Sequence, residues 1–447
     1  MSLIAMLTLA SCTAETGDGA DQKDSATPAA DIVTKIGAFT FNGPAPKNVI
    51  MVSIDTLERS RVGRYSGGTL TPRLDALAES AFVLDDHASC SAWTYSSINC
   101  ALTGRYNQEL GYEPQVGEAD TSPLLPEGVT TLAQTMRDAG FHTRLLSTNG
   151  LLSETTDTAR GYDEIDMALD VDAAGVTQRV LDEVDSLVEP FLLHVHYMDP
   201  HMPYAPPPAY VEAEVDGLRP VPWDLSTKEG MAAARDAWNS LNEADRANLL
   251  AWWTVLYEGE LKYTDESVGA LLDGLDAAGK LADSLVVLWS DHGEEFFEHG
   301  ALGHGVQLHN DQADSVALFW SPAIVPVAYD KPSSHVDLAP TVLQLLSVAA
   351  PAEMSGSVMG TPGSGARFAF LWTKENTASA SVERGKLKLL YSWRGDKEFY
   401  DRSIDEAEAH DHYTADDPDI VALWALLEPR VRSEADLVGL EPIALGP

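Results

Sequence analysis

Three apolar runs in this chain end in the same kinds of residue, and that coincidence restricts the folds open to it. Leu285-Val286-Val287-Leu288-Trp289 leads directly into Ser290-Asp291-His292-Gly293-Glu294. Asn48-Val49-Ile50-Met51-Val52-Ser53-Ile54 ends in Asp55, and Phe191-Leu192-Leu193-His194-Val195-His196-Tyr197-Met198 runs into Asp199-Pro200-His201. Short runs rich in Val, Ile and Leu read as buried strands. In open α/β sheets, ligands bind in the crevice beyond the carboxyl ends of the strands. Carboxylate oxygen and imidazole nitrogen together are metal-ligand chemistry. The predicted fold is α/β, with a large mixed, mostly parallel sheet flanked by helices and a catalytic edge at one end of it.

From Lys47 onward, strands alternate with amphipathic segments. Thr71-Pro72-Arg73-Leu74 places a cap residue before a proline at the first helical position. Further helices are expected over Gly128–Met136, Leu249–Ala278 and His335–Leu346, and a strand over Phe141–Ser147. Pro203 to Asp245 is acidic and lacks a period, and is expected to be an irregular insertion that rims the site. Beyond Gly360, Phe368–Trp372, Lys386–Tyr391 and Glu398–Tyr400 predict a small antiparallel sheet, followed by a helix near Ile420–Val431. The expected organisation is a signal-type segment at 1–12, a flexible tether at 13–46, a catalytic α/β domain at 47–360 and a carboxy-terminal α+β subdomain at 361–447. At 447 residues and 45% hydrophobic, the chain is long enough for both cores.

The chain carries 29 Lys and Arg against 69 Asp and Glu, a net charge of −40. That balance excludes nucleic acid, whose phosphates need basic partners. It also excludes a direct electrostatic hold on an anionic membrane. It suits a salty or extracellular setting. No apolar run reaches the roughly 18–20 residues of a spanning helix. Leu9-Ala10-Ser11-Cys12, after a short apolar stretch, resembles a bacterial lipobox. Lipid on Cys12 would tether an exported chain to the bacterial cell envelope, in the periplasm or on the outer surface. Cys90 and Cys100 would be free to pair after export; two small buried thiols is the other reading.

The segment Ser91-Ala92-Trp93-Thr94-Tyr95-Ser96-Ser97-Ile98-Asn99-Cys100-Ala101-Leu102-Thr103-Gly104 resembles the nucleophile segment of the sulfatase family, within the alkaline phosphatase superfamily. Counting nine residues back from Thr103 reaches Thr94, the family's nucleophile position. Asn48–Tyr65, with Asp55-Thr56, is similar to the family's opening metal strand, and Val195–Tyr204 to its mid-chain His motif. Ser290–Gly305, closing in Gly303-His304-Gly305, is similar to the second metal strand and loop. Lys386–Leu389 and Glu398–Asp401 resemble the small carboxy-terminal sheet. The chain also departs from the pattern. Sulfatases convert a Cys or Ser to formylglycine within a signal that ends in Arg; here the positions read Thr94-Tyr95-Ser96-Ser97-Ile98. Thr cannot supply that aldehyde by the usual route. The paired Asp-Asp of the opening strand is Asp55-Thr56.

A threonine hydroxyl is a weak nucleophile until a metal or base activates it. The resemblance implies a divalent ion on Asp55, Asp291 and His292, with Thr94 as a further ligand held as an alkoxide. His201 and His304 would hold a second ion or hydrogen-bond the leaving oxygen, so one or two ions are expected. A His ligand favours zinc or manganese, with calcium possible. Each residue has a plainer reading: Asp55 as a strand-end cap, His292 as a bonded core residue, Thr94 as a helix cap. The expected activity is a metal-dependent hydrolase or transferase using Thr94 on a phosphodiester or phosphonate ester of a small molecule, glycan or lipid. The alternatives are a sulfuric ester hydrolase acting without formylglycine, and a catalytically silent surface-binding protein.

Overall fold

The computed structural model describes residues 33–110, 124–363, 365–372 and 378–438, with side chains up to 433. The lipobox and residues 13–32 of the expected tether lie outside them. Eight strands form the main sheet: β1 Asn48–Ile54, β2 Phe82–Leu84, β3 His142–Ser147, β4 Glu164–Met167, β5 Phe191–Tyr197, β6 Ser284–Ser290, β7 Ala317–Trp320 and β8 Val327–Tyr329. Their order is β8-β2-β7-β6-β1-β5-β3-β4. The run from β6 through β1, β5 and β3 to β4 is parallel. β7 lies antiparallel to both β6 and β2. The three strands singled out in the sequence are thus adjacent at the centre, with matching ends.

Their composition follows from burial on both faces. Ile50, Val52 and Ile54 of β1 join one core cluster, and Val49 and Met51 join the other. A strand covered on both sides shows a continuous apolar run instead of alternation. The first face is covered by the helices Pro72–Glu79, Ala173–Asp182 and Glu243–Ala277, the second by Thr94–Thr103, Leu132–Asp138 and Leu338–Leu345. Each fully buried large side chain, such as Phe191 or Trp289, contributes about 1.5–3 kcal/mol. Among the described residues no helix is long and apolar enough to cross a membrane.

The structure departs from the sequence reading in several places. Thr34–Ile36 and Phe39–Phe41 pair as a hairpin. Phe39 and Phe41 are fully buried, and Phe39 stacks on Phe82 at 4.1 Å, so the chain joins the fold before residue 47. Thr71 does not cap its helix; its hydroxyl accepts from Gly63 N, and the Asp265 carboxylate accepts from Arg73 N and Leu74 N. The insertion carries a helix, Lys228–Ala237, whose cap Thr227 accepts from Gly230 N. The next helix begins at Glu243, upstream of the expected start, because Asn242 caps it through Asp245 N.

The carboxy-terminal sheet runs β9 Ala366–Trp372, β10 Ala378–Arg384, β11 Leu387–Ser392 and β12 Lys397–Asp401, antiparallel in that order. β10 was not expected, since Ser379 and Ser381 dilute its apolar signal. The helix Pro418–Val438 packs on this sheet through Ile420, Leu423, Trp424 and Leu427. A buried charge network joins the two sheets. Arg402 pairs with Asp314, Glu383 and Glu408, and Arg367 pairs with Glu383 and Asp86. Removing Arg402 would take one cation from each of three buried carboxylates, leaving Asp314 with Arg59, Glu383 with Arg367 and Glu408 with Lys388. Arg402→Ala is expected to cost about 3–5 kcal/mol, read as a lower denaturation midpoint, whereas Arg432→Ala on the exposed pair with Glu428 should change it by less than about 1 kcal/mol.

Candidate active site

The end of β1 hands the chain to Asp55 and Thr56, and the end of β6 hands it to Asp291 and His292. Ligand atoms of Asp55, Asp291 and His292 lie within 4.8 Å of one another, and all three residues are fully buried. Thr56 sits at φ 52, an unusual conformation for a β-branched residue. That turn aims its amide at Asp291 Oδ1, 3.0 Å away. Asp291 Oδ1 also accepts from His292 N at 2.8 Å. Asp55 Oδ2 accepts from Asn149 Nδ2 at 2.7 Å. Asp55 Oδ1 and Asp291 Oδ2 have no hydrogen-bond partner. Burial and the charge of Asp55 push the Asp291 carboxyl up to about 7. Burial works on Asp55 too, but His201, His196 and His292 around it outweigh that and hold its carboxyl below the usual range. Two buried carboxylates with orphaned oxygens facing one imidazole fit a divalent cation.

Thr94 opens the helix Thr94–Thr103, with Trp93 in extended conformation before it and no side-chain cap from Trp93. Its Oγ1 lies 3.3 Å from His292 Nε2. His292 Nδ1 is engaged by the Gly293 carbonyl at 2.9 Å, which directs Nε2 to the pocket. Gly293 is obligatory: a Cβ there would stand 1.9 Å from the Asp311 carbonyl oxygen. The helix is held in place from three sides. Cys90 and Cys100 form a disulfide that encloses Thr94. Ser97 Oγ donates to the Asp291 carbonyl at 2.6 Å and meets His335 Nδ1 at 2.9 Å. Gly104 ends the helix in the left-handed region, its N–H on the Cys100 carbonyl.

His304 stands next to His292 (ring centroids 4.5 Å) and His201 next to His304 (4.9 Å). His304 Nδ1 contacts Glu294 Oε1 at 2.8 Å, and Tyr204 OH donates to Glu294 Oε2 at 3.0 Å. Gly303 and Gly305 both have positive φ and turn the loop so that His304 faces inward. Burial pushes Glu294 up to about 7 and His304 down to about 3, with His201 adding to the latter. Among the described residues, no second group of three ligand-type side chains closes around His201 and His304. Asp199 contacts Glu260.

Six residues named from the sequence are thus gathered in one pocket: Asp55, Thr94, His201, Asp291, His292 and His304. Sequence reasoning missed Asn149, just past the end of β3, and Glu294 with Tyr204, which orient His304. His335, expected only as the start of a helix, bonds Ser97 and Ser315. His299 contacts Asp311 and stacks on His309 at 3.9 Å. The insertion reaches the same mouth. Trp238 stacks on Phe297 at 3.8 Å, and Arg235 Nη1 stands 4.0 Å from the sulfur of Met202. Arg235 pairs with no carboxylate among the described residues, and its charge helps hold His304 low.

Comparison with known proteins identifies the family and the fold. The family model described as Sulfatase matches residues 47–348. The N-acetylglucosamine-6-O-sulfatase of Bacteroides thetaiotaomicron is 22% identical over 464 residues, covering 81% of each chain. A phosphonate monoester hydrolase from Silicibacter pomeroyi superposes with a TM-score of 0.65 at 19% identity, over 89% of this chain and 96% of that one. A structure solved in complex with its substrate D-glucosamine-2-N,6-O-disulfate gives 0.69 at 18% identity, over 88% and 98%. Because that family model runs through the whole main sheet and over more than half of the sequence, the chain belongs to the sulfatase family.

Proposed function

We propose that this chain is a divalent-cation-dependent hydrolase in which Thr94 attacks the phosphorus of a phosphodiester or phosphonate ester. The observation that carries this reading is the Thr94 hydroxyl, at the positive end of its helix and 3.3 Å from His292 Nε2, beside the paired carboxylates. A cation on Asp55, Asp291 and His292, zinc or manganese before calcium because of the imidazole, would stabilise the threonine alkoxide and screen the ester's non-bridging oxygens. The Thr94 oxygen forms a bond to phosphorus and the bond to the departing alcohol breaks. The Thr94 proton passes to the imidazole pair of His201 and His304 and returns to the departing oxygen. Glu294 occupies Nδ1 of His304, so Nε2 is the nitrogen that serves the pocket. Water then displaces Thr94 from phosphorus and restores the hydroxyl.

Phosphorus is favoured over sulfur because a threonine ester lacks the hemiacetal exit of formylglycine. Sulfate-ester hydrolysis is the second reading, supported by the similarity to N-acetylglucosamine-6-O-sulfatase along most of both chains. Ile98 stands where the family carries Arg, so the anion needs another cation. Arg235 supplies it from the insertion, at the rim of the pocket. The alcohol part is a glycan, lipid or small molecule. The Cys90–Cys100 disulfide supports an exported chain, since thiols oxidise outside the cytosol, and lipid attachment at Cys12 belongs to the same reading.

The test is a panel of nitrophenyl phosphodiester, phosphonate, phosphate and sulfate substrates. The diester or phosphonate should turn over fastest, and Thr94→Ala should lose at least about 10³-fold in kcat. Chelation should abolish activity, and added zinc or manganese should restore it. A sulfate ester as the fastest substrate would replace this reading by the second, and a chain that neither takes up a cation nor cleaves any ester would be a binding protein. Arg235→Ala should raise KM about 10-fold with kcat little changed, and should leave the melting temperature as it is because the side chain is exposed.

A further inference from the structure

β5 carries two histidines on one face. Its residues Phe191, Leu193, Val195 and Tyr197 enter one core, which leaves His194 and His196 on the opposite face. Ser53 on β1 is in register with His196 and shares that face. Ser53 Oγ lies 2.9 Å from His194 Nε2 and 2.8 Å from His196 Nδ1. At one end, Tyr162 OH lies 2.8 Å from His194 Nδ1. At the other, His196 Nε2 lies 3.5 Å from Asp55 Oδ2 and has no hydrogen-bond partner. Ser53, His194 and His196 are fully buried, and Tyr162 is nearly so.

We propose that Tyr162, His194, Ser53 and His196 form a one-way hydrogen-bond chain that fixes the Asp55 carboxylate for cation binding. Ser53 has a single proton to give and cannot donate to both imidazoles, and accepting from both would leave its buried proton without an acceptor between them, so the two contacts run in the same sense. In one sense, Tyr162 donates to His194 Nδ1, His194 Nε2–H to Ser53, Ser53 to His196 Nδ1, and His196 Nε2–H to Asp55. In the other sense, His196 turns the Nε2 lone pair on Asp55 Oδ2, which repels an ionised carboxylate. Burial pushes His194 down to about 3 and keeps it neutral, and burial also holds the Tyr162 phenol protonated. With Asn149 and His196 both on Oδ2, Asp55 Oδ1 is the oxygen left for the cation. The four residues touch no substrate; they position a ligand, as partners behind metal ligands commonly do.

The inference rests on the reading of Asp55 as a cation ligand, and its test separates the two. In the metal-free full-length chain, long-range proton–nitrogen correlation on labelled histidine should place the proton of both His194 and His196 on Nε2. Zinc titration against a competing chelator should show that Ser53→Ala weakens binding about 10–100-fold, while Ser53→Thr, which keeps the hydroxyl, stays near wild type. Tyr162→Phe, at the far end, should free the His194 tautomer without unfolding the sheet, and supplies the test if Ser53→Ala does not fold. A proton on Nδ1 of His196 would overturn the proposal. So would zinc affinity unchanged in Ser53→Ala. A wild-type chain that takes up no zinc would overturn the cation reading beneath it.

Discussion

Asp55 and Asp291 are two carboxylates with no access to water, close enough to share one ligand, at the ends of neighbouring strands. Left alone, such a pair would carry a desolvation cost and mutual repulsion. The surrounding groups offset that cost in a divided way. Asn149 and the histidines stabilise charge on Asp55, while Asp291 sits between two backbone amides and is pushed toward its neutral form. The outcome is a site poised for one more positive charge. Most of what stands near it, from the turned-out amide of Thr56 to the chain behind His196, orients the oxygens that would receive that charge.

Much of the fold was legible because the central strands are covered on both faces, and a short unbroken Val-Ile-Leu run suits a doubly covered strand far better than a surface one. β10 escaped because its serines are tolerated by neighbours that supply the apolar contacts. The helix of the insertion escaped because only Met231 and Ala234 on it are buried, so its period is faint. The hairpin at 34–41 escaped because two phenylalanines in a Gly- and Thr-containing stretch do not outweigh their surroundings.

The site was legible where a strand end and a family position coincided. Asp55, Asp291 and His292 follow strands, and Thr94 follows from a count along the helix. What sits behind them was not, for a physical reason. Ser53 reads as an ordinary strand residue until His194 and His196 are brought beside it from 141 and 143 residues away. His335 reads as a lone core histidine until Ser97, 238 residues distant, meets it. Hydrogen bonds between distant segments leave no local trace, whereas burial and capping do.

Thr56 and Asp291 are bonded across 235 residues of chain. Neither half of the molecule contains both carboxylates, and β1 and β6 must lie side by side before the two face each other. The chemistry therefore arrives all at once, with closure of the central sheet, and an unfinished chain carries none of it.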